Sequence, residues 1–317
     1  MLTLDRCGYA AFFLVILLLP ALLDARWLTV GTTFLIFSVV ALSQDIVLGK
    51  AGIFNMGHAL FFGMGAYTTA ILNSKFGWPI VATLPLAVLL PALGGILIAG
   101  PIVHLRGDYL LVTTIGFNIV FVQALQNDLL GVTGGPNGIF SLDSLKLFGT
   151  VFDSPVAVYY AAFLVLLLTL WVMRTLANSK PGRALHYLRE DHIAAGAVGI
   201  NARVYKIFAF TLGAGLAGLA GSIYAVQYAA VSPEAFDFVQ SVLFFAIIIV
   251  GGSSVPGVLL GVLVMFVLPE VFREFATWRY FIFGLAMILA MILRPRGIWP
   301  ASFGNIPKYV LGEGRHG

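Results

Sequence analysis

Long apolar segments follow one another along almost the whole of this chain, and few charges interrupt them. Of its 317 residues, 60% are hydrophobic and only 10% are charged, and the mean hydropathy is +0.99. A soluble domain of this length needs far more polar surface. The apolar runs are about 20 residues long and lack polar alternation, which favours spanning helices over a β-barrel. The chain is therefore predicted to be an all-α, polytopic transmembrane helical bundle.

A hydropathy window of about 19 residues divides the chain into about ten spans, with nine to eleven as the range. The predicted spans are 8–23, 28–48, 53–72, 80–103, 109–130, 156–176, 205–230, 238–252, 255–270 and 279–293. The segments 238–252 and 255–270 are short and separated by glycines and Pro256, so they form either two spans or one span and a broken piece. The Gly-rich segment 53–72 is also a candidate for a broken helix, which is tolerated at membrane depth where protein buries it.

The distribution of Lys and Arg predicts the orientation of the bundle. With ten spans and a cytoplasmic N-terminus, thirteen of the 18 Lys and Arg residues lie on the cytoplasmic side, and the reverse orientation inverts this count. Both termini are thus expected in the cytoplasm, with 301–317 as a tail and 131–155 as the largest external loop. The net charge of +4 is interpreted as a topology signal and not as a nucleic-acid-binding surface. Residues 1–317 are predicted to form a single transmembrane domain.

The start of the chain superficially resembles a signal peptide. Asp5 opposes Arg6 before the apolar run, and no clean small-x-small cleavage site follows it. This segment is therefore interpreted as a retained first span. Cys7 is the only cysteine, which excludes an intramolecular disulfide and disfavours a thiolate metal site.

One polar island interrupts the apolar pattern, and it extends from Asn178 to Lys206. It holds the five cations Lys180, Arg183, Arg189, Arg203 and Lys206. A Lys or Arg at the centre of a bilayer costs roughly 2.5–3.5 kcal/mol even on lenient scales. Residues 177–204 are therefore predicted to be a cytoplasmic loop that contains one surface helix, 183–198.

The predicted surface helix has two faces. The apolar face carries Leu185, Leu188 and Ala195, and the polar face carries Arg183, Tyr187 and Glu190. Gly199 marks its end, and the small residues 194–197 would form a flat tip that fits a groove of a soluble partner. The alternative is an amphipathic helix that only lies on the lipid headgroups, and composition leaves both interpretations open.

Several polar side chains are predicted inside the spans. They are Asn55, His58, Tyr67, Thr114, Asn118 and Gln126. Buried amides are unfavourable unless paired, so these side chains should face the bundle or a cavity. They form either a translocation pathway for a zwitterionic or amide substrate, or interhelical hydrogen bonds. His58 alone is more typical of a structural histidine than of a ligand.

The sequence contains no enzyme motif. The pair Gly49-Lys50 is not followed by Ser or Thr and lacks the rest of a phosphate-binding loop, and neither an H-E-x-x-H motif nor a paired intramembrane carboxylate is present. No cofactor or metal site is predicted. The acidic residues fall at or near span ends, which disfavours an ion-coupled secondary transporter but leaves it as an alternative.

Seven stretches, in order along about 40–300, resemble LivM-type permease subunits of branched-chain amino-acid ABC importers. They are MGHALFFGMGAYTTAIL (56–72), LRGDYLLVTTIGF (105–117), TGGPNGI (133–139), GRALHYLREDHIAAGAVGINARVYKIFAF (182–210), LAGLAGSIY (216–224), VSPEAF (231–236) and IVGGSSVPGVLLGV (249–262). Each stretch alone is weak evidence for the family, but all seven stretches in this order are specific to it. LRGDY and TGGPNGI point to this type rather than to the shorter LivH type.

The resemblance implies a function, partners and a location. The chain would form half of the pore for Leu, Ile or Val in a bacterial inner membrane, beside a LivH-type permease. Two cytoplasmic ABC ATPases would drive it, and an extracytoplasmic substrate-binding protein would deliver the substrate, so ATP hydrolysis would take place in separate subunits. The ATPases would push helix 183–198 and thereby tilt spans 156–176 and 205–230.

The family's coupling loop falls on 182–199 of this chain. By the resemblance, the residues that couple to the ATPases are Gly182, Arg183, Arg189, Asp191, Ala194, Ala195 and Gly199. The sequence departs from the family pattern at Ile193, where the wider importer motif has Glu, and at Lys50, Asn55 and Gly196. Related permeases carry urea or short amides, so these substrates and other amino acids remain alternatives, as does a purely structural membrane scaffold.

Overall fold

The computed structural model describes residues 19–21, 24–105, 107–128, 131–140, 142, 145–147, 150–152 and 154–271, together with 284, 288, 298 and 299. The helices in this part are α1 Ala25–Asp45, α2 His58–Phe76, α3 Ile80–Ile102, α4 Asp108–Gln126, α5 Pro155–Asn178, α6 Lys180–Glu190, α7 His192–Ala197, α8 Ala202–Tyr228, α9 Phe238–Gly251, α10 Val255–Val262 and α11 Leu268–Val271. One π-helical turn, Ile46–Lys50, extends α1, and another, Leu263–Val267, joins α10 to α11.

Six helical segments in this part are long and apolar enough to cross a membrane, which confirms a multi-pass helical protein. They are Ala25–Lys50, Ile80–Ile102, Asp108–Gln126, Pro155–Asn178, Ala202–Tyr228 and Pro233–Gly251. The 19-residue α2 and the shorter apolar stretch Val255–Val271 also correspond to predicted spans. The predicted spans 8–23 and 279–293 lie outside the described residues, apart from 19–21, 284 and 288, and so does the tail 301–317.

Two helices form the centre of the bundle. In Ala25–Lys50, 89% of the apolar window is buried, and in Ala202–Tyr228 the figure is 72%, against 22–50% in the other four segments. Helix α8 packs against α2 and α3 on one side and against α1 on the other, while α5 covers α1. Of the two spans that flank the polar island, α8 therefore lies in the core and α5 packs on the outside of α1.

Small residues let α8 approach its neighbours closely. A Cβ at Gly221 would collide with the carbonyl oxygen of Phe62 in α2, and one at Gly218 would collide with the carbonyl oxygen of Ala87 in α3. Ala217 is fully buried. In a membrane, such van der Waals contact between backbones is a main source of helix association. Gly213, Ala217 and Gly221, spaced four residues apart, therefore lie on a packing face of α8.

The bundle is mostly helical, as predicted, and it also contains short β-structure that the sequence does not predict. Two short antiparallel ribbons lie on the side of the bundle opposite the polar island: β1 Ile139–Phe140 pairs with β4 Ala230–Val231, and β2 Leu145–Leu147 pairs with β3 Thr150–Phe152. The β1–β4 pair fastens the loop after α4 to the turn after α8. Strands this short have no periodic signal in the sequence.

The structure shows how the chain runs in two regions where the sequence leaves the continuity of the helices open. Segment 53–72 is helical only from His58, because residues 51–57 form an irregular turn between the π-helical end of α1 and α2. Segments 238–252 and 255–270 form two separate helical stretches that pack against each other, joined by Gly252–Ser254. Gly252 has a φ of +95°, a conformation that favours glycine, and it supplies the reversal.

Candidate functional site

The polar island begins with a tight connection between α5 and α6. Ser179 Oγ donates to the carbonyl oxygen of Leu176 (2.7 Å) and accepts from the N–H of Gly182 (3.2 Å), so one side chain caps both helices. A Cβ at Gly182 would collide with the carbonyl oxygen of Leu176. Glycine is therefore needed for α6 to turn back directly over the end of α5.

Helix α6 has the two faces that the sequence predicts. Leu185 and Leu188 are buried against the chain itself, whereas Arg183, Tyr187 and Glu190 are exposed. The apolar face of α6 is thus already covered by protein.

The predicted single helix 183–198 is wrong, because it breaks at Asp191. This residue has extended backbone angles, and its carboxylate accepts the N–H groups of Ile193 (2.8 Å) and Ala194 (3.1 Å). An Asp side chain that binds nearby backbone N–H groups starts a new helix instead of continuing the old one. Asp191 therefore ends α6 and begins α7.

Gly199 ends α7, as the sequence predicts. Its φ is +83°, and the N–H of Ile200 donates to the carbonyl oxygen of Ala195 (3.0 Å), the closing pattern of a left-handed helix cap. Asn201 then caps α8 through its side chain, which accepts from the N–H of Arg203 (3.1 Å). Residues 177–204, which the sequence predicts to couple to ATPases and which we call the coupling segment, thus contain Ser179, Asp191 and Asn201 as caps of helix starts and Gly199 as the close of a helix end.

The far end of the coupling segment is apolar and exposed. Ile193 is 70% exposed and Val198 is 75% exposed. Ala194, Gly196 and Ala197 are also exposed. We call these five residues, Ile193, Ala194, Gly196, Ala197 and Val198, the docking tip. Ala195 was predicted within a flat tip of small residues, but it is only 3% exposed and faces inward.

A group of polar side chains lies where residues 51–57 meet the bundle. Ser43 Oγ lies 2.8 Å from His58 Nε2, and Asn55 Nδ2 lies 3.4 Å from His58 Nδ1. The single Ser43 proton donates to the carbonyl oxygen of Val40 (2.7 Å). Ser43 must then accept from His58, which assigns the proton to Nε2 and leaves Nδ1 to accept from Asn55. Both ring nitrogens of His58 are therefore occupied.

The same group holds the irregular backbone of residues 51–57. Asn55 Oδ1 accepts from the N–H of Gly57 (2.9 Å), Gln44 Nε2 donates to the carbonyl oxygen of Asn55 (3.0 Å), and Thr114 Oγ1 accepts from the N–H of Met56 (3.2 Å). We call Ser43, Gln44, Asn55, His58 and Thr114 the turn cluster. The structure thus brings the predicted residues Asn55, His58 and Thr114 together.

A second polar region surrounds Phe236. Asn118 Nδ2 donates to the carbonyl oxygen of Phe236 (3.1 Å), and the Tyr67 ring lies 6.0 Å from the Phe236 ring. Asn118 Oδ1 and the Tyr67 hydroxyl are buried and have no hydrogen-bond partner within the described part of the chain. We call Tyr67, Asn118 and Phe236 the Phe236 region. Gln126 lies apart, at the last turn of α4.

The sequence-based selection missed several functional candidates. Ser43, Gln44 and Asp45 form a polar run in an otherwise apolar span, and that run is a signal that points to the turn cluster. Ser241 Oγ accepts from the N–H of Ala59 (3.0 Å), and nothing in its local sequence indicates this contact. Among the described residues, no group of three His, Cys, Asp or Glu side chains is arranged to hold a metal ion.

The chain matches known membrane permeases along most of its length. Residues 26–291 match the family profile described as "Branched-chain amino acid transport system / permease component". The high-affinity branched-chain amino acid transport system permease protein LivM of Escherichia coli (strain K12) is 35% identical, over 92% of this chain and 75% of that protein.

Two less similar relatives match this chain over nearly the full length of their own sequences. The probable branched-chain amino acid transport permease protein LivM of Methanocaldococcus jannaschii is 27% identical, over 84% of this chain and 91% of its own. The permease protein LivH of Salmonella typhimurium is 24% identical, over 85% and 92%. No solved structure matches the chain. The extent of the family match, with the 35% identity to an LivM protein, shows that this chain belongs to the branched-chain amino acid transport permease family.

Proposed function

We propose that the chain is a membrane-spanning permease subunit of an ABC importer and forms half of a translocation pathway for Leu, Ile or Val. The observation that carries this proposal is the 35% identity to a LivM permease over 92% of the chain. The weaker match to a LivH permease supports a LivH-type second subunit. Two cytoplasmic ATPases and an extracytoplasmic binding protein complete the importer. The chain itself catalyses no reaction.

The docking tip is the proposed contact with an ATPase. The rival interpretation, a helix lying on lipid headgroups, requires a free apolar face, but Leu185 and Leu188 of α6 are buried within the chain. The most exposed apolar side chains of the coupling segment are Ile193 and Val198 of the docking tip, and the cation Arg183 lies on the exposed side of α6. A small apolar projection with a basic surround suits a groove on a soluble partner.

The sequence-derived coupling residues take two roles in this proposal. Ala194 contacts the ATPase, with its neighbours in the docking tip. Four other residues shape the segment. Gly182 allows the close turn and Asp191 caps a helix, while Ala195 makes a buried contact and Gly199 forms the left-handed end. Arg183 lies on the exposed face, and Arg189 connects the segment to the rest of the bundle.

The translocation pathway is proposed to pass the Phe236 region. A zwitterionic amino acid needs hydrogen-bonding groups along its path, and Asn118 Oδ1 and the Tyr67 hydroxyl are buried polar atoms that have no partner in the described part. Asn55, His58 and Thr114 hold the backbone at the end of the bundle that carries the coupling segment, and Gln126 lies toward the other end of α4. The pathway is completed by the second permease.

The proposed topology has ten spans in a bacterial inner membrane and both termini in the cytoplasm. Charges support this orientation: the end with the coupling segment carries Lys50, Arg174, Lys180, Arg183, Arg189, Arg203 and Lys206, whereas Arg26 and Lys75 lie at the other end. The N–H of Trp299 donates to the carbonyl oxygen of Gly251 (2.9 Å), at the end with the coupling segment. Trp299 thus lies at the same end of the bundle as the coupling segment, which is the end expected for a cytoplasmic C-terminus.

The proposed transport cycle requires two states of the bundle. Closure of the ATPase pair on ATP would push the coupling segment, which is continuous with α5 and α8. These two helices would then tilt, and the pathway would open to one side of the membrane or the other. Partner binding supplies the differential free energy that such a population shift requires.

Purification of the tagged chain from native membranes tests the proposal. We expect a second permease and two ATPase copies to co-purify, and we expect ATP-dependent uptake of Leu, Ile or Val in proteoliposomes that contain the binding protein. Uptake of urea or short amides instead would change the substrate. Uptake that follows an ion gradient without ATPases would overturn the importer assignment.

A bulky substitution in the docking tip tests the ATPase contact. Gly196 has open space around its missing Cβ, so Gly196→Trp should fold normally but weaken ATPase docking and abolish coupled uptake. Leu164→Trp, at a 65% exposed position on α5, is the matched control and should leave docking unchanged. ATPase co-purification and uptake are measured. Normal values for Gly196→Trp would contradict the docking assignment.

A further inference from the structure

Two charged residues at the end of α1, Asp45 and Lys50, belong neither to the docking tip nor to the proposed pathway. Asp45 is fully buried, and neither carboxylate oxygen has a hydrogen-bond partner within the described residues. The ammonium of Lys50 lies 3.4 Å from Asp45 Oδ2. A buried carboxylate without a counter-charge is strongly destabilising. The ion pair with Lys50 therefore holds Asp45 inside the bundle.

Lys50 also connects α1 to a distant part of the chain. Its Nζ donates to the carbonyl oxygen of Ser253 (3.0 Å), in the Gly252–Ser254 connection between α9 and α10. A Cβ at Gly49 would collide with the Asp45 carboxylate and the Ser253 hydroxyl. The end of α1 and the α9–α10 connection thus meet in direct contact at this glycine.

The coupling segment contacts the π-helical turn at the end of α1 from the cytoplasmic side of the bundle. The guanidinium of Arg189, near the end of α6, donates to the carbonyl oxygen of Gly49. A Cβ at Gly52 would lie 3.1 Å from Arg189 Cγ, and the φ of Gly52 is +67°. Arg189 therefore contacts both ends of the short turn that contains Lys50.

We propose that Arg189, Gly49, Lys50 and Asp45 form a latch that transmits movement of the coupling segment to the α9–α10 connection. Displacement of α6 pulls on the carbonyl group of Gly49 and shifts the adjacent Lys50 relative to Asp45 and Ser253. Arg189 and Lys50 are positioning residues for transport in this scheme, which rests on the proposed importer function.

Two further observations support movement at the latch. Gly49 and Lys50 lie in a π-helical turn, in which the N–H of Ala51 donates to the carbonyl oxygen of Ile46 (3.2 Å), and such turns are frequent at functional sites. A groove of about 240 Å³ lies beside Arg189 and is also lined by Ile53, Leu110 and Leu188. Helix α6 therefore has space on this side into which it can shift.

Labelling of a cysteine in the α9–α10 connection tests the linkage without transport. Ser253→Cys is introduced together with Cys7→Ser, and the full chain in native membranes reacts with a membrane-impermeant maleimide. The latch predicts that Arg189→Met raises the labelling rate several-fold, because the connection loosens. Arg189→Lys should restore a rate near the parent, since it still donates to Gly49. An unchanged rate in Arg189→Met would overturn the latch.

A neutralised ion pair tests the role of the latch in transport. Lys50→Met alone leaves a buried charge and is expected to lower abundance, so the informative variant is Asp45→Asn with Lys50→Met. In proteoliposomes with the complete importer, this variant should keep its abundance and ATPase activity. Its substrate uptake per ATP should fall by roughly tenfold, within the range of coupling between distant sites.

The control and the wild type make the outcomes distinguishable. Arg203→Met removes a cation at the same end whose guanidinium reaches the carbonyl oxygen of Gly100 (3.5 Å), and it should leave the uptake ratio unchanged. A normal ratio in the neutralised pair, with a transporting wild type, would overturn the latch alone. A wild type that transports nothing with ATP would overturn the proposed function, while the labelling result still decides the linkage.

Discussion

Two groups of polar side chains lie inside the helical bundle, and they differ in how completely their atoms are paired. In the turn cluster, both nitrogens of His58 are occupied and Asn55 uses its oxygen, its nitrogen and its backbone carbonyl, while Gln44 Oε1 is the one buried side-chain atom of the cluster without a partner in the described part. In the Phe236 region, Asn118 makes one bond to the backbone, and its oxygen and the Tyr67 hydroxyl have no partner in the described part.

This difference separates two reasons for polar residues in a membrane span. Paired side chains replace backbone partners where the helix is interrupted, as residues 51–57 require. Unpaired buried polar atoms are unfavourable, so each needs an explanation, and another molecule that supplies the missing partner in part of the working cycle is one. The turn cluster is therefore interpreted as scaffold and the Phe236 region as candidate pathway, although the sequence presents both as similar polar positions.

The largest effect is expected from His58→Leu in the turn cluster. The substitution removes the partner of Asn55 Nδ2 and of Ser43, and each unsatisfied buried group costs about 1–3 kcal/mol. We expect lower abundance and a lower midpoint of thermal unfolding, with normal uptake for each remaining transporter. His58→Gln, which keeps an N–H donor for Ser43, should recover part of the stability. Normal stability with lost uptake would move His58 from the scaffold to the pathway.

A smaller effect on stability is expected from Asn118→Leu in the Phe236 region. One hydrogen bond to the carbonyl oxygen of Phe236 is lost, at about 0.5–1.5 kcal/mol, while a polar atom disappears from the proposed pathway. Uptake should therefore fall more than abundance. Thr114→Val, one turn away on α4, removes two bonds to the backbone, from the N–H of Met56 and to the carbonyl oxygen of Leu111, and is the control from the turn cluster. Parallel losses of uptake and abundance in both variants would favour packing as the role of Asn118.

The sequence predicts helices well here because the bilayer restricts the possible folds. A chain in lipid must satisfy its backbone internally, so apolar length alone located α1, α3, α4, α5 and α8. Composition could not locate the break at Asp191, because it depends on whether one carboxylate caps two N–H groups or faces solvent. The start of α2 at His58 depends on long-range bonds from Ser43, Thr114 and Ser241, which no local pattern contains.

Prediction of the candidate site from the sequence has the same limit. The residue types of Asn55, His58, Tyr67, Thr114, Asn118 and Gln126 were visible as polar positions in spans. Their division into paired and unpaired groups depends on neighbours from other helices, such as Phe236 after the turn that follows α8. Likewise, the spacing placed Ala195 on an apolar face and also in the small-residue tip. Only the fold determines that it faces inward while Ile193 and Val198 remain exposed.

The smallest effect on stability is expected from Tyr67→Phe, which tests the comparison most directly. It removes only a hydroxyl without a partner in the described part, so the free energy of unfolding should change by less than about 1 kcal/mol. If that hydroxyl binds the substrate, the apparent KM for uptake should rise roughly two- to tenfold, the ratio for one net hydrogen bond.

A paired tyrosine provides the control for this experiment. The hydroxyl of Tyr228 lies 2.9 Å from Thr33 Oγ1, and Tyr228→Phe removes that bond between α8 and α1. Tyr228→Phe should lower stability and leave KM unchanged. Tyr67→Phe should leave stability nearly unchanged and raise KM. A KM that is unchanged in both variants would show that an unpaired hydroxyl does not distinguish pathway from scaffold, and the assignment would then rest on Asn118 alone.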